Sequence, residues 1–301
     1  MFKIAWHPIY AHPLPENHRF PMEKYDLLPQ QLMHEGCIDK EQLFEPRGLL
    51  HEDEILRTHE DAYWQKLKTL SLSKQEIRKT GFPLSQQLID RERLIMQGTI
   101  DCTHHALKDR ISMNIAGGTH HAYSDRGEGF CLLNDLALAA NHLLHHQKAK
   151  KVMIIDLDVH QGNGTAAIFR DEKRVFTMSM HGEKNYPLHK EKSDLDIPVW
   201  DGIDDRSYLD LLGSHLESTI DHFQPDFCFY QCGVDVLASD KLGRLGLSIE
   251  ACKARDRQVF DAVLDRNIPI VCAMGGGYSE DIKVIIDAHA NTFRLADQLF
   301  F

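Results

Sequence analysis

Short apolar runs alternate with longer segments of helical periodicity along most of the chain. Five runs rich in Val, Ile, Phe and Met are typical of buried strands and lie at residues 112–116, 151–157, 174–180, 227–231 and 268–274. Between them, apolar residues recur at three- and four-residue spacing, which predicts amphipathic helices at residues 86–108, 134–147, 206–223, 248–265 and 279–296. Residues 14–29 are rich in proline and predict a loop that leads into a helix.

This alternation predicts the fold class. Strands separated by helices pair in parallel through right-handed crossovers, so we expect an α/β fold in three layers, with a central, mainly parallel sheet and helices on both faces. The sequence contains no internal repeat and no Ser/Pro-rich linker, and we predict a single domain over residues 1–301. Ligands of such folds bind beyond the carboxyl ends of the strands.

Polar and glycine-rich segments follow four of the five predicted strands. They read GGTHHA (residues 117–122), DLDVHQGNG (156–164), QCGVD (231–235) and GGGY (275–278). The sequence therefore places His, Asp and Tyr side chains where an α/β fold binds its ligand.

The segment DLDVHQGNG carries three ionisable side chains spaced by two, namely Asp156, Asp158 and His160. On an extended segment they point to one face, and burying several carboxylates is costly unless a cation compensates them. Asp158, His160 and Asp235 form an oxygen and nitrogen ligand set with room for water, which is typical of a catalytic metal site. The alternative is that both aspartates cap turns and His160 is a core histidine, but the polar ends of three further strands favour the metal site.

Adjacent histidine pairs occur at three places in the sequence. His120 and His121 follow two glycines at a predicted strand end, which makes them candidate site residues. The pairs at residues 104–105 and 145–146 lie in predicted helices, where neighbouring side chains diverge around the axis, so we expect structural roles for them.

Composition and charge narrow the possible classes of protein. The 301 residues are 43% hydrophobic and 26% charged, as in an ordinary globular protein. The net charge of −11 disfavours a nucleic-acid partner and favours a cationic one. The sequence shows no apolar run of membrane-spanning length and no signal peptide, and its seven cysteines form no C-x-x-C pair. We therefore expect no membrane partner and a cytoplasmic protein with buried, reduced cysteines.

Taken in order, GGTHHA, GEGFCLLND (residues 127–135), DLDVHQGNG, QCGVD and GGGY resemble the zinc-dependent histone deacetylase family. HRFPMEKY at residues 18–25 is similar to the amino-terminal segment of bacterial deacetylase-like proteins. The resemblance implies the arginase/deacetylase fold and a Zn²⁺ ion ligated by Asp158, His160 and Asp235. It also implies two histidines that contact the metal-bound water and a tyrosine that polarises the amide carbonyl, and these match His120, His121 and Tyr278.

The resemblance further pairs Asp156 with His120 and places Asn163 where many relatives carry a second aspartate behind His121. An amide orients an imidazole but adds no charge that favours the imidazolium, so we predict that His121 is neutral at pH 7 and acts as the base. The DVHQGNG form resembles the class IV branch of the family.

The resemblance also implies a structural K⁺ site and an acyl-lysine channel. The K⁺ site would use main-chain oxygens around Asp156, Asp158, His160, Ser179 and Met180. Phe130, beside Gly129, and Tyr186 match the aromatic residues that wall the channel. The segment HGEKNYP around Tyr186 is less close to the family pattern, and both rings fit a role as core aromatics as well.

Three other interpretations compete with this one. GNGTAA (residues 162–167) fits a dinucleotide-binding fingerprint, but that function leaves the acidic strand ends unexplained. Arginase-like enzymes bind two Mn²⁺ ions through further aspartates where this sequence has Gly162 and Leu237, which disfavours a binuclear ureohydrolase. A catalytically silent acyl-lysine-binding scaffold is the third, and an intact Tyr278 argues against it.

We therefore expect a metal-dependent amidohydrolase that removes an acetyl or longer acyl group from the side-chain amine of lysine. Fe²⁺ fits the same ligand set as Zn²⁺. The substrate would be an acyl-lysine protein or a small cationic acylated amine such as an acetylpolyamine.

Overall fold

A single sheet of eight parallel strands forms the centre of the protein, whose computed structural model describes residues 2–301. The strands are β1 (Lys3–Ala5), β2 (Leu43–Phe44), β3 (Ile111–Asn114), β4 (Val152–Asp156), β5 (Val175–Gly182), β6 (Leu195–Val199), β7 (Phe227–Gln231) and β8 (Ile270–Ala273). Their order across the sheet is β2-β1-β3-β8-β7-β4-β5-β6, and every neighbouring pair is parallel. The predicted α/β fold class is confirmed.

Ten α-helices surround this sheet within residues 2–301. They are α1 (Lys24–His34), α2 (Glu52–Ile55), α3 (Asp61–Lys68), α4 (Lys74–Thr80), α5 (Gln86–Asp109), α6 (Asp135–His145), α7 (Asn163–Phe169), α8 (Asp205–Phe223), α9 (Ile249–Asp265) and α10 (Ile282–Phe300). The five predicted helices correspond to α5, α6, α8, α9 and α10. Of these, α10 differs most from its prediction, because it begins at Ile282 and continues to Phe300.

The proline-rich segment at residues 14–29 is only partly a loop. The prediction is wrong for its last residues, because α1 begins at Lys24 and contains Pro29. A proline inside a helix leaves the carbonyl four residues earlier without its amide donor. Here that carbonyl belongs to Tyr25, and the indole nitrogen of Trp6 donates a hydrogen bond to it at 2.8 Å. A tertiary contact therefore compensates for the proline.

The centre of the sheet is fully buried, as parallel sheets require. Every residue of β3, β4, β7 and β8 is buried. Six of the seven cysteines are buried free thiols, as predicted, whereas Cys37 is only half-buried. Within residues 2–301, the structure has no helix with the length and apolar character needed to span a membrane.

Candidate metal centre and active site

The four strands whose carboxyl ends carry polar side chains lie side by side in the sheet. β3, β8, β7 and β4 are consecutive neighbours, so the segments that follow them meet at one edge. This adjacency brings together His120 and His121 after β3, Asp156, Asp158 and His160 at the end of β4, Asp235 after β7 and Tyr278 after β8.

Asp158, His160 and Asp235 are buried and point at one another. The Nδ1 atom of His160 lies 3.0 Å from Asp158 Oδ1 and 3.2 Å from Asp235 Oδ2. The other carboxylate oxygens accept hydrogen bonds from the backbone, Asp158 Oδ2 from Gly276 N and Asp235 Oδ1 from Val159 N, both at 2.9 Å. The backbone thus fixes both carboxylates with one oxygen directed towards His160.

The electrostatics of these three residues favour a bound cation. Burial and the nearby Asp158 raise the pKa of Asp235 to about 7. Burial lowers the pKa of His160, but hydrogen bonds and attraction from Asp158 and Asp235 outweigh it and raise that pKa to about 10. The ligand atoms lie within 4.8 Å of one another, and the distances at His160 are close to the ~3.3 Å edge of a tetrahedral zinc site. The donor set therefore fits a divalent metal ion.

Glycines lie directly behind the carboxylates of this edge. A Cβ atom would lie 2.3 Å from Asp156 Oδ2 at Gly162, 2.2 Å from Asp158 Oδ2 at Gly233 and 2.0 Å from Asp235 Oδ2 at Gly276. Any larger residue at these positions would displace a carboxylate.

The GNGTAA segment is packed in the same way. A Cβ atom on Gly164 would lie 2.3 Å from the carbonyl oxygen of Ala122, and the Asp156 carboxylate occupies the space beside Gly162. These glycines therefore accommodate protein atoms and do not form an open cradle for a dinucleotide phosphate.

His120 is held by a carboxylate. Its Nδ1 atom lies 2.7 Å from Asp156 Oδ2, and both residues are buried. Burial lowers the pKa of His120, but attraction from Asp156 and Asp158 outweighs it and raises the pKa to about 8. The pairing with Asp156 predicted from the resemblance is present in the structure.

His121 is held by an amide whose orientation is fixed by its other partners. The Nδ2 atom of Asn163 donates to Glu128 Oε1 at 2.7 Å and to the Tyr123 hydroxyl at 3.0 Å. Because a carboxylate can only accept hydrogen bonds, the amide nitrogen of Asn163 must face Glu128. The Oδ1 atom of Asn163 therefore faces His121 Nδ1, at 2.6 Å. Nδ1 of His121 therefore carries the proton, and its Nε2 atom keeps a free lone pair. Burial, together with repulsion from the neighbouring histidines, lowers the pKa of His121 well below its usual value.

Tyr278 lies across the site from these histidines. Its backbone nitrogen donates to Asp240 Oδ2 at 2.6 Å, and its ring centroid lies 5.9 Å from that of Phe130. Burial and the charge of Asp235 raise the pKa of the phenol well above its usual value. The hydroxyl is therefore a hydrogen-bond donor over the physiological pH range.

Two cavities that share lining residues lie at this edge. The inner one, of about 40 Å³, is lined by Phe20, Phe82, Ile95, Asp158, His160 and neighbouring residues. The outer one, of about 240 Å³, opens towards solvent and is lined by Phe130, Tyr186, Leu242 and Tyr278, among others. His121, Gly129, Phe130, His160 and Tyr278 border both cavities.

The predicted channel residues line these cavities. Gly129 has a φ of +57°, and a Cβ atom there would lie 2.6 Å from His121 Cδ2, so only glycine allows the histidine to pack against this turn. Phe130 is buried, whereas Tyr186 is 40% exposed and its ring lies 5.0 Å from that of His121. Tyr186 is therefore at the channel mouth and not in the core.

The remaining predicted residues belong to the K⁺ site and to the two other histidine pairs. Asp156 pairs in register with Ser179 on β5, which is followed by Met180, and the K⁺ site stays a prediction. The histidines at 104–105 lie on α5. His146 lies next to the end of α6 and, with His142 and Glu54, forms a separate group near the surface.

Some residues of the site were missed by the sequence analysis. Glu128 and Tyr123 fix the orientation of Asn163. Glu128 lies in the GEGFCLLND motif, but nothing in the sequence marks either side chain as a partner of Asn163. Lys24 is buried beneath Tyr278, where its Nζ atom donates to the Gly275 carbonyl at 3.0 Å, and burial lowers its pKa to about 8. Its position in HRFPMEKY was the signal that could have identified it.

Comparisons with known proteins identify the family to which this fold belongs. Residues 18–293 match the sequence model of the histone deacetylase domain. An uncharacterised protein of Picosynechococcus sp. is 39% identical over 299 residues, 99% of each chain. Histone deacetylase 2 of Arabidopsis thaliana is 31% identical over 287 residues, 92% of this chain and 74% of that protein. This chain belongs to the histone deacetylase family.

Solved structures show the same fold. A histone deacetylase homologue complexed with SAHA superimposes with a TM-score of 0.86 at 24% identity, covering 99% of this chain and 84% of the other. A histone deacetylase homologue from Aquifex aeolicus superimposes with a TM-score of 0.85, also at 24% identity and with the same coverage.

Proposed function

We propose that the protein is a zinc-dependent deacylase that hydrolyses the side-chain amide of N-acetyl-lysine or a close relative of it. The observation that carries this proposal is the convergence of Asp158, His160 and Asp235 beside a histidine whose Nε2 lone pair is free. When bound by these three residues, zinc would polarise both an amide carbonyl and a water molecule.

The chain's own residues would perform the remaining steps. His121, held by Asn163, takes a proton from the attacking water through Nε2 and can return it to the leaving amine. His120, held by Asp156, orients the water from the other side. The Tyr278 hydroxyl donates a hydrogen bond to the oxygen that becomes negatively charged as the amide is attacked.

The inner cavity supports a short acyl group. A volume of about 40 Å³ has room for about three water molecules, because one needs roughly 10–15 Å³. An acetyl group fits such a space, whereas a long acyl chain would have to displace the buried rings of Phe20 and Phe82. We therefore expect turnover to decrease steeply with acyl length.

Hydrolysis of acylated peptides by zinc-loaded protein tests this function directly. Acyl-lysine peptides from acetyl to dodecanoyl are assayed with wild-type protein and with Tyr278→Phe. Removing one oxyanion donor typically lowers kcat about 10²- to 10³-fold, and the acetyl peptide should be the best substrate. The proposal fails if metal-loaded protein turns over no acylated amine, peptide or polyamine, because the protein would then be a silent acyl-lysine-binding scaffold.

The identity of the metal and the branch of the family belong to the same proposal. Mixed oxygen and nitrogen ligands accept Fe²⁺ as well as Zn²⁺, so activity with each ion is compared under anaerobic conditions. The pairing of His121 with Asn163 supports placement with the class IV-like members. A structural K⁺ site is part of the same proposal, and it is tested by assaying the protein without K⁺.

A further inference from the structure

The mouth of the outer cavity carries two cations. Arg19 and Lys79 both line it, beside Phe130, Tyr186 and Leu242, and both are exposed. Among residues 2–301, no carboxylate lines this cavity. The rim of the candidate channel is therefore positively charged on a protein whose net charge is −11.

Arg19 is held at the rim by its two neighbours in the sequence. His18 Nε2 lies 2.9 Å from the Gly81 carbonyl oxygen, and the imidazole stacks on Phe82. On the other side, the ring of Phe20 packs edge-on against Phe130, with centroids 5.2 Å apart. The guanidinium itself lies over the Phe130 ring, 4.9 Å from its centroid. These contacts keep the cation at the channel wall.

Lys79 is held there through its backbone. Its carbonyl oxygen accepts a hydrogen bond from Gly129 N at 3.0 Å, and the Thr80 carbonyl accepts one from Phe130 N at 2.8 Å. The segment that carries Lys79 is thus bound to the turn that forms the channel wall. Its side chain is left free to reach a ligand at the mouth.

Neither cation has a carboxylate partner, unlike several other basic residues of this protein. Arg47, Arg266 and Arg294 each pair with a carboxylate. In the described part of the chain, no carboxylate comes within salt-bridge distance of Arg19 or Lys79. Two cations that line one cavity without a carboxylate partner leave their charge available to an anionic ligand.

We propose that Arg19 and Lys79 form a carboxylate-binding subsite at the channel mouth, so that the preferred substrate carries an anionic group next to its acyl-lysine. This inference rests on the proposed deacylase function. The carboxylate would come either from an acidic residue that flanks the acyl-lysine in a peptide or from the α-carboxylate of a free acylated lysine. Acetylpolyamines, which carry only positive charge, are excluded as preferred substrates.

The net charge of the protein does not oppose this inference. Exposed charges are screened beyond about 8–10 Å at physiological ionic strength, so the two nearby cations dominate the potential at the mouth. Glu128 accepts a hydrogen bond from Asn163 and lies beside the Tyr186 hydroxyl at the rim, so its carboxylate is already occupied by these two partners. The cationic partner expected from the net charge alone is therefore not the partner that the channel mouth fits.

Matched substrates test the subsite. Acetyl-lysine peptides flanked by Glu, Gln or Lys, and Nα-blocked acetyl-lysine as free acid or amide, are compared by kcat/KM and by titration of the Tyr278→Phe protein. Each exposed ion pair changes affinity about 1.4- to 5-fold. With two such pairs, Glu should be favoured over Gln about 2- to 25-fold. The preference should decrease in 0.5 M salt, and the free-acid pair shows whether an α-carboxylate is sufficient.

Variants assign the preference to its residues. Arg19→Gln/Lys79→Gln should abolish the Glu-over-Gln ratio, and Arg19→Lys/Lys79→Arg should keep it. Lys148→Gln/Arg206→Gln removes the same charge outside the cavity and should also keep it. Lys79→Gln alone, which disturbs no ring packing, should lower the ratio partly.

Two different results would overturn the proposal, and only the second would also overturn the deacylase function. Equal binding and turnover of the Glu and Gln peptides, or a ratio that survives in Arg19→Gln/Lys79→Gln, removes the subsite while the deacylase function stands. Absence of both binding and turnover for every acetyl-lysine compound removes the deacylase function as well.

Discussion

The partner of His121 provides a quantitative test of the catalytic base. His120 and His121 are adjacent and buried, but one faces a carboxylate and the other an amide, and their pKa values are shifted in opposite directions. Asn163 lies between His121 and Glu128, at 2.6 and 2.7 Å. The double substitution Asn163→Asp/Glu128→Gln therefore moves one negative charge next to His121 while it conserves net charge and shape.

The size of the effect follows from Coulomb's law. The exchange moves the negative charge from about 8 Å to about 4 Å from the imidazole. At an effective dielectric constant of about 20, this strengthens its attraction to the protonated imidazole by about 2 kcal/mol. This corresponds to a rise of about 1.5 units in the pKa of His121. The base must be neutral to act, so its activity is lost as the pH falls through that pKa, and a higher pKa moves the acidic limb of the profile to higher pH.

The assay is the pH dependence of kcat/KM for a neutral acetyl-lysine peptide with metal-saturated protein. Glu128→Gln alone removes the distant charge and should move the acidic limb towards lower pH, opposite to the double variant. Asn163→Asp alone places two carboxylates at hydrogen-bond distance, where they would share a proton. If the acidic limb stays in place in both Glu128→Gln and the double variant while both remain folded by circular dichroism, His121 is not the base.

Three further outcomes are expected. Burial lowers the pKa of His59 to about 4, so below pH ~6.5 this imidazole takes up a proton when the protein unfolds. The free energy of unfolding should therefore fall by up to about 3 kcal/mol as the pH decreases towards 4. Urea titrations should show a smaller fall in His59→Gln; an equal fall would contradict this. Gly213→Ala, with a Cβ atom 3.6 Å from Gln258 Oε1, should stabilise α8 by about 0.5–1 kcal/mol in the same titrations, and destabilisation would refute it. Zinc at 100 times its Kd should stabilise the wild type by about 2.7 kcal/mol but not Asp235→Asn, and equal Tm increases in both would argue against Asp235 as a ligand.

The sequence predicted the elements whose periodicity is long or whose strands are fully buried. β3, β4, β5, β7 and β8 were found because they are short, mostly apolar runs of strand-forming residues, and they include the four strands that carry the site. β1 and β2 have three and two residues, too few to show a period. β6 contains Pro198, which argues against a strand in the sequence but is tolerated because β6 lies at the sheet edge.

The site itself could be predicted only where chemistry marks the sequence. Carboxylates and histidines after apolar strands indicated Asp158, His160 and Asp235, since few residue types ligate metals. The role of Glu128 depends on a contact with Asn163 across 35 positions, and that of Lys24 on burial against Gly275 across 251. Neither contact has a local pattern, so only the folded chain shows it.

The glycines behind the carboxylates set a limit on how this protein can vary. Because Gly162, Gly233 and Gly276 lie against Asp156, Asp158 and Asp235, even alanine at these positions would displace a carboxylate. In a library of all single variants, these chemically inert positions should be as intolerant of substitution as the ligands themselves. The positions of these glycines therefore reflect the shape of the proposed metal site, and the aspartates provide its charge.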